Sequence, residues 1–155
     1  MTRRAVSAMG IAGALLGCTS IDPGPALVVP NATFDPDYFY CHVEPQFIFG
    51  PKYQCGAGQA GDGNQCHFSN AVTGMALQNH APVNCGGGDH PVDLSQIGMG
   101  SPAAGNYQAV SIEMSADWMS APVYIRPLGN SHPRAIFTTS DTTVTTLLST
   151  WAATQ

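Results

Sequence analysis

The chain has 155 residues, of which 44% are apolar and only 10% charged, with 17 Gly, 12 Pro and a mean hydropathy of +0.01. A soluble domain ordinarily carries about 25% charged residues, so Thr, Ser, Asn, Gln and Gly must supply most of the polar surface here. Five Lys and Arg, two of them at positions 3 and 4, leave no basic stripe to neutralise phosphates, which excludes a nucleic-acid partner, and no apolar run reaches the roughly 18 residues of a membrane-spanning helix.

Arg3 and Arg4 precede an apolar stretch of small and aliphatic residues from Ala5 to Leu16, the charge pattern of a secretory leader. The stretch ends in Leu15-Leu-Gly-Cys18, which resembles the lipobox of bacterial lipoproteins. That resemblance implies cleavage after residue 17 and lipidation of Cys18, and several acyl chains on one residue anchor a protein stably to a bilayer. In a Gram-negative host the same resemblance implies the outer membrane, since Thr19 stands where inner-membrane retention would favour Asp; the alternative is an ordinary secretory signal with a chance Cys, which also exports the protein. Without residues 1–17 the chain keeps three basic side chains (Lys52, Arg126, Arg134) against ten acidic ones, a formal net charge of −7. Residues 18–33, with Pro23, Pro25 and Pro30, read as an extended tether, and one domain is expected over 34–155.

Asp35-Pro36 predicts a helix start, with a capping carboxylate followed by a proline at the first helical position. The helix should run through Tyr38, Phe39 and His42 until Pro45 interrupts or kinks it. Four cysteines follow the anchor: Cys41, Cys55, Cys66 and Cys85. In an exported chain they can form two disulfides, with three possible pairings.

Their neighbours suggest a second use. Cys66 is followed directly by His67, and Cys55 precedes it by ten intervening residues. A Cys-His dipeptide suits covalent haem attachment, in which the sulfur grips the porphyrin and the next imidazole reaches the iron. Here the spacing is C-x10-C-H, where the usual motif has two residues between the cysteines. The insert carries Gly56, Gly58, Gly61 and Gly63, so it can bulge outward and bring its ends back together at small entropic cost. A Cys55–Cys66 disulfide would close the same loop.

Asn84-Cys-Gly-Gly-Gly-Asp89 and residues 98–105 are expected to be irregular. Pro102 to about Met119 is expected to be helical, with apolar residues at mixed spacing. The last helix is the clearest. Ser140 is expected to cap it, and Val144, Leu147, Leu148 and Trp151 fall at i, i+3, i+4 and i+7.

Tyr38-Phe-Tyr-Cys-His-Val-Glu-Pro-Gln-Phe-Ile48 with Tyr53-Gln-Cys55, and later Ser120-Ala-Pro-Val-Tyr-Ile-Arg-Pro-Leu-Gly129, Ser131-His-Pro-Arg134 and a last helix with Trp151, resemble in their order the small secreted c-type cytochrome domains of myxobacterial and planctomycete proteins. The resemblance implies a mainly α, cytochrome c-like fold: a few short helices and long Gly/Pro-rich loops around one haem c. It implies thioethers at Cys55 and Cys66, His67 as the proximal iron ligand and His132 as the distal one. Met119 is the alternative distal ligand; His80, His90, Met114 and Met75 come behind it. With Cys55 and Cys66 on the haem, Cys41 and Cys85 remain as a disulfide pair. A zinc site built from His80, His90 and Cys85 is a further alternative, although zinc usually takes closely spaced ligand pairs.

No G-x-S-x-G elbow, H-E-x-x-H helix, P-loop or Rossmann fingerprint occurs. The expected role is therefore not that of an enzyme. The resemblance implies electron transfer to redox proteins of the envelope, from a lipid-tethered domain that can also be one subunit of a larger complex. The rival expectation is a haem-free, disulfide-stapled envelope lipoprotein that serves as a binding or structural module.

Overall fold

In the computed structural model, which describes residues 33–58, 66–68, 75–129 and 132–154, regular structure is helical and there is no strand among the described residues. The expected leader (1–17), the lipid attachment at Cys18 and the tether up to residue 32 lie outside the described residues, as do residues 59–65 of the loop between Cys55 and Cys66. Four α-helical segments appear: α1 (Pro36–Tyr38), α2 (Pro102–Ile112), α3 (Pro122–Ile125) and α4 (Thr142–Ala153).

α1 starts as its sequence implies, with the Asp35 carboxylate accepting the Asp37 N–H at 2.9 Å and Pro36 at the first helical position. Pro45 does not end the helix. The chain continues without a break into a π-helix, Phe39–Ile48, that contains Pro45, and its last turn closes with the Phe49 N–H on the Glu44 carbonyl at 3.1 Å. A proline lacks the N–H of a normal turn and clashes with the carbonyl four residues back; the wider π turn relieves that clash, and π segments are a recognised response to strain within helices. This winding also turns Phe39, Tyr40, Val43, Glu44, Phe47 and Ile48 all into the interior.

α2 is shorter than its sequence suggests. Ser101 caps it, the hydroxyl accepting the Ala104 N–H, but it stops at Ile112. There the last N–H groups fall back on three-residue spacing, Glu113 onto Val110 and Met114 onto Ser111. The apolar residues between 107 and 118 never form one continuous stripe, so nothing sustains a longer helix against the Ser115–Asp117 turn. A 3-10 turn (Trp118–Ser120) leads instead into α3, which passes into a second 3-10 turn, Arg126–Leu128.

α4 has the expected buried face, with Val144, Leu147, Leu148 and Trp151 all covered. Its cap is Asp141 rather than Ser140. The Asp141 carboxylate accepts the N–H groups of Thr143 and Val144 and also binds the Tyr53 hydroxyl and the Lys52 ammonium, whereas the Ser140 hydroxyl pairs with Thr138. Burial raises the Asp141 carboxyl, but the bonds from Lys52, Tyr53 and the Val144 N–H outweigh it and hold the group below its ordinary value. A depressed carboxylate contributes stability that is present above the ordinary Asp range and lost as pH falls through the folded value. Asp141→Ala is expected to cost about 1 kcal/mol at neutral pH, the usual worth of a cap. Asp141→Asn should keep the cap yet flatten the acid loss of stability below about pH 4, as urea unfolding at pH 7 and pH 3 would show.

The core centres on Trp151, which is fully buried. Its ring meets Phe34 and Phe39 at centroid distances of 5.4 Å, and its indole N–H donates to the Asp35 carbonyl at 2.9 Å. The Asp35 N–H in turn donates to the Thr154 carbonyl, so α4 locks onto the start of the domain. A second aromatic group, Phe47, Tyr53, Tyr124 and Phe137, lies between the π-helix and α3. Cys41 and Cys85 form a disulfide, the pair expected, joining the π-helix to the Gly-rich loop.

Candidate functional site

The end of the π-helix leaves carbonyls without intrahelical donors, and the next segment supplies them. The Cys55 N–H donates to Phe47 and the Gly56 N–H to Ile48. Reaching that position puts Gln54 at φ 50, a left-handed conformation uncommon for a residue with a Cβ. The far end of the loop then returns onto the same segment: the His67 N–H donates to the Cys55 carbonyl at 3.2 Å and the Phe68 N–H to Gly56 at 2.9 Å. The segments that flank the insert, at Cys55-Gly56 and at His67-Phe68, therefore lie side by side, as the insert's glycine content implied. Gly56 leaves room for the Phe68 ring, since a Cβ there would sit 2.2 Å from it and force the ring to shift.

Cys55, Cys66, His67 and His132 all line one cavity of about 300 Å³, a size at the lower end of small-molecule sites. The rest of its wall is mostly apolar, from Phe47, Met75, Pro122, Val123, Pro127 and Ile136. Glu113 and Arg126 add one ion pair at 3.0 Å. Neither Cys55 nor Cys66 is in a disulfide. Burial, with Cys66 beside it, pushes the Cys55 thiol up to about 12 against the opposing charge of Arg134, so it stays protonated.

Both imidazoles are oriented by backbone. His67 Nδ1 lies 2.8 Å from the Met75 carbonyl and His132 Nδ1 lies 2.7 Å from the Arg134 carbonyl. A carbonyl only accepts, so each Nδ1 carries a proton, and in a neutral ring the lone pair is then at Nε2. The ring centres are 6.4 Å apart with planes inclined by 32°. Burial lowers the His67 imidazole below its ordinary value, helped by His132 and opposed by the Met75 bond and by Glu113. A neutral imidazole with an anchored Nδ1–H is the form in which histidine ligates metals.

Of the other expected ligands, only Met75 is on the cavity wall. Met119 is 60% exposed and does not line the cavity, whereas Met75 does. His42 bonds Asp89, His90 bonds Asp37 and His80 bonds Glu44. The zinc alternative loses its sulfur, because Cys85 is bonded to Cys41, and its two imidazoles hold different carboxylates. Among the described residues no three His, Cys, Asp or Glu are grouped to hold a bare metal ion. Sequence reasoning missed Glu113 and Arg126 as wall residues and Met75 as the acceptor for His67. They come from segments far apart in the chain, and no local motif marks them. Compared with known protein families, curated proteins and solved structures, the chain matches none.

Proposed function

We propose that this protein carries one covalently bound haem c and transfers electrons to redox proteins of the bacterial envelope, tethered to the bilayer through lipidated Cys18. The observation that carries the proposal is the convergence of Cys55, Cys66, His67 and His132 on one largely apolar cavity. An imidazole nitrogen lies about 2 Å from a metal it ligates, so His67 and His132 would have to face each other across a short span to hold one iron between them. The 6.4 Å between His67 and His132 fits that span, which favours His132 over Met119 as the distal ligand.

When bound, haem supplies a one-electron ferric/ferrous couple. The chain's own residues do the rest. The carbonyls of Met75 and Arg134 hold the two imidazoles in the ligating tautomer, which also raises ligand basicity. The apolar wall excludes water, and burial of an iron site is one of the means by which a protein sets its potential. Cys55 and Cys66, both on the cavity wall and neither in a disulfide, would hold the group through their sulfurs. Two imidazole ligands imply a lower potential than an imidazole with a thioether. No step converts a substrate, and the function is that of a carrier.

A pyridine haemochrome spectrum of the full chain, made in a host that matures c-type cytochromes, tests the reading. The expected result is a red protein whose chromophore stays with the polypeptide through acid-acetone extraction, and a Cys55→Ser/Cys66→Ser double variant that loses it. A colourless wild type, with a Cys55–Cys66 disulfide found by peptide mapping, would instead support the haem-free, disulfide-stapled lipoprotein.

A further inference from the structure

One buried acidic group has no part in the cavity. Glu44 is 0% exposed, at the middle of the π-helix, and its Oε2 has no hydrogen-bond partner. Its Oε1 accepts from Asn106 Nδ2 at 2.9 Å and lies 3.0 Å from His80 Nε2. The amide of Asn106, itself fully buried, is fixed in orientation because its Oδ1 accepts the Gln78 N–H at 2.7 Å. Its Nδ2 then spends its two hydrogens on Glu44 Oε1 and, at 3.0 Å, on the Gln78 carbonyl; His80 Nε2 is farther, at 3.2 Å. His80 Nδ1 lies 2.7 Å from the Ala81 carbonyl and so must carry a hydrogen.

Proton accounting follows from these contacts. With Nδ1 protonated, a neutral His80 presents a lone pair at Nε2. An ionised Glu44 would set a second lone pair 3.0 Å away, with no hydrogen between the two acceptors. The contact is satisfied only if one proton lies there, on the carboxyl or on the imidazole. Titratable groups near the pair include Tyr40, on the same helix, on which Glu44, Tyr107 from α2 and Asp37 all act. Burial drives the Glu44 carboxyl above the ordinary glutamate range, against the bonds from Asn106 and His80. Losing the proton would leave a buried carboxylate with one oxygen unpaired, which is costly.

The site is joined to the cavity on two sides. Phe47, three residues beyond Glu44 on the π-helix, lines the cavity wall. Met75, whose carbonyl anchors His67, lies five residues before His80 in a segment that also donates the Leu77 N–H to the His67 carbonyl. The His80 ring packs edge-on against Phe49, which packs against Phe68, the neighbour of His67.

We propose that Glu44 and His80 form a buried proton-binding site holding one shared proton at neutral pH, and that its proton affinity falls when the cavity gains positive charge. The second half rests on the haem reading, under which oxidation is the added charge and electron transfer becomes coupled to proton release. Two measurements on the full chain separate the parts. Carbon-13 and nitrogen-15 NMR of selectively labelled, reduced protein at pH 7 should show either a protonated Glu44 carboxyl or a doubly protonated His80. An ionised carboxylate beside a neutral imidazole would overturn the site. On the haem-loaded protein the midpoint potential should fall as pH rises, with a slope no steeper than about 59 mV per pH unit, the one-electron equivalent of a tenfold change. Glu44→Gln, which leaves Asn106 its acceptor, should abolish the slope. A flat wild-type profile would overturn the coupling while leaving the shared proton to the NMR result. A colourless wild type would overturn the haem reading and the coupling with it, and the NMR result would still decide the site.

Discussion

A His67→Ala variant is expected to fold as the wild type does and, if the protein carries haem as proposed, to lose a six-coordinate, low-spin spectrum completely. The hydrogen bonds that His67 contributes to the loop closure are made by main chain: its N–H to Cys55, its carbonyl to Leu77. Alanine keeps both. Only the ring is lost, with its bond to the Met75 carbonyl, and that bond serves orientation. With the ring gone, His132 remains as the single imidazole on the cavity wall. Absorption spectra at both oxidation states, set beside far-ultraviolet circular dichroism, would check spectrum and fold together. His42→Ala is the control. That ring pairs with Asp89 and packs on Tyr38, so its removal should leave the spectrum unchanged. If the protein is instead a disulfide-stapled module without haem, His67→Ala and His42→Ala should be equally silent.

Removing the Cys41–Cys85 disulfide, by a double alanine variant or by reduction, is expected to cost about 4 kcal/mol of unfolding free energy. The bond spans 44 residues, and closing a loop of that length restricts the unfolded chain by about this much on the chain-entropy view. The loss is a large share of the roughly 5 to 15 kcal/mol that holds a typical domain together. Here the consequence is sharper, because the loop after Cys85 contains little regular structure before α2 beyond the 3-10 turn Leu94–Ile97. The ion pairs His42–Asp89 and His90–Asp37 bridge the same two segments, but they involve exposed groups and contribute little of their own. Denaturant midpoints of the oxidised and reduced forms would measure the difference; an unchanged midpoint would mean that side-chain packing alone holds the loop.

Local signals were legible wherever the cause is local. Asp35-Pro36 opens α1 because a carboxylate and a fixed proline φ satisfy the first turn without help from the rest of the chain. The stripe Val144, Leu147, Leu148, Trp151 buries one face of α4 because the helix period dictates it. The cap slipped by one residue, to Asp141, because Tyr53 and Lys52 hold that carboxylate from elsewhere in the chain. The closing of the Cys55–Cys66 loop followed from its glycines, whereas the four cysteines allowed three pairings, and only the resemblance to c-type cytochromes implied the Cys41–Cys85 pair that forms.

Sequence alone therefore determined where the first helix begins, which face of the last helix is buried, and that the glycine-rich loop after Cys55 can close. All of these rest on short-range chemistry. Tertiary structure alone decided the rest. Pro45 is carried inside a π-helix that buries Phe39, Tyr40, Val43, Glu44, Phe47 and Ile48 together. α2 ends at Ile112 because no further apolar stripe is there to be buried. Glu44 sits in the interior because His80 and Asn106, 36 and 62 residues away, come to meet it. The approach of His132 rather than Met119 to His67 is settled in the same way, since which distant side chains share a cavity depends on how the whole core packs and not on any spacing along the chain.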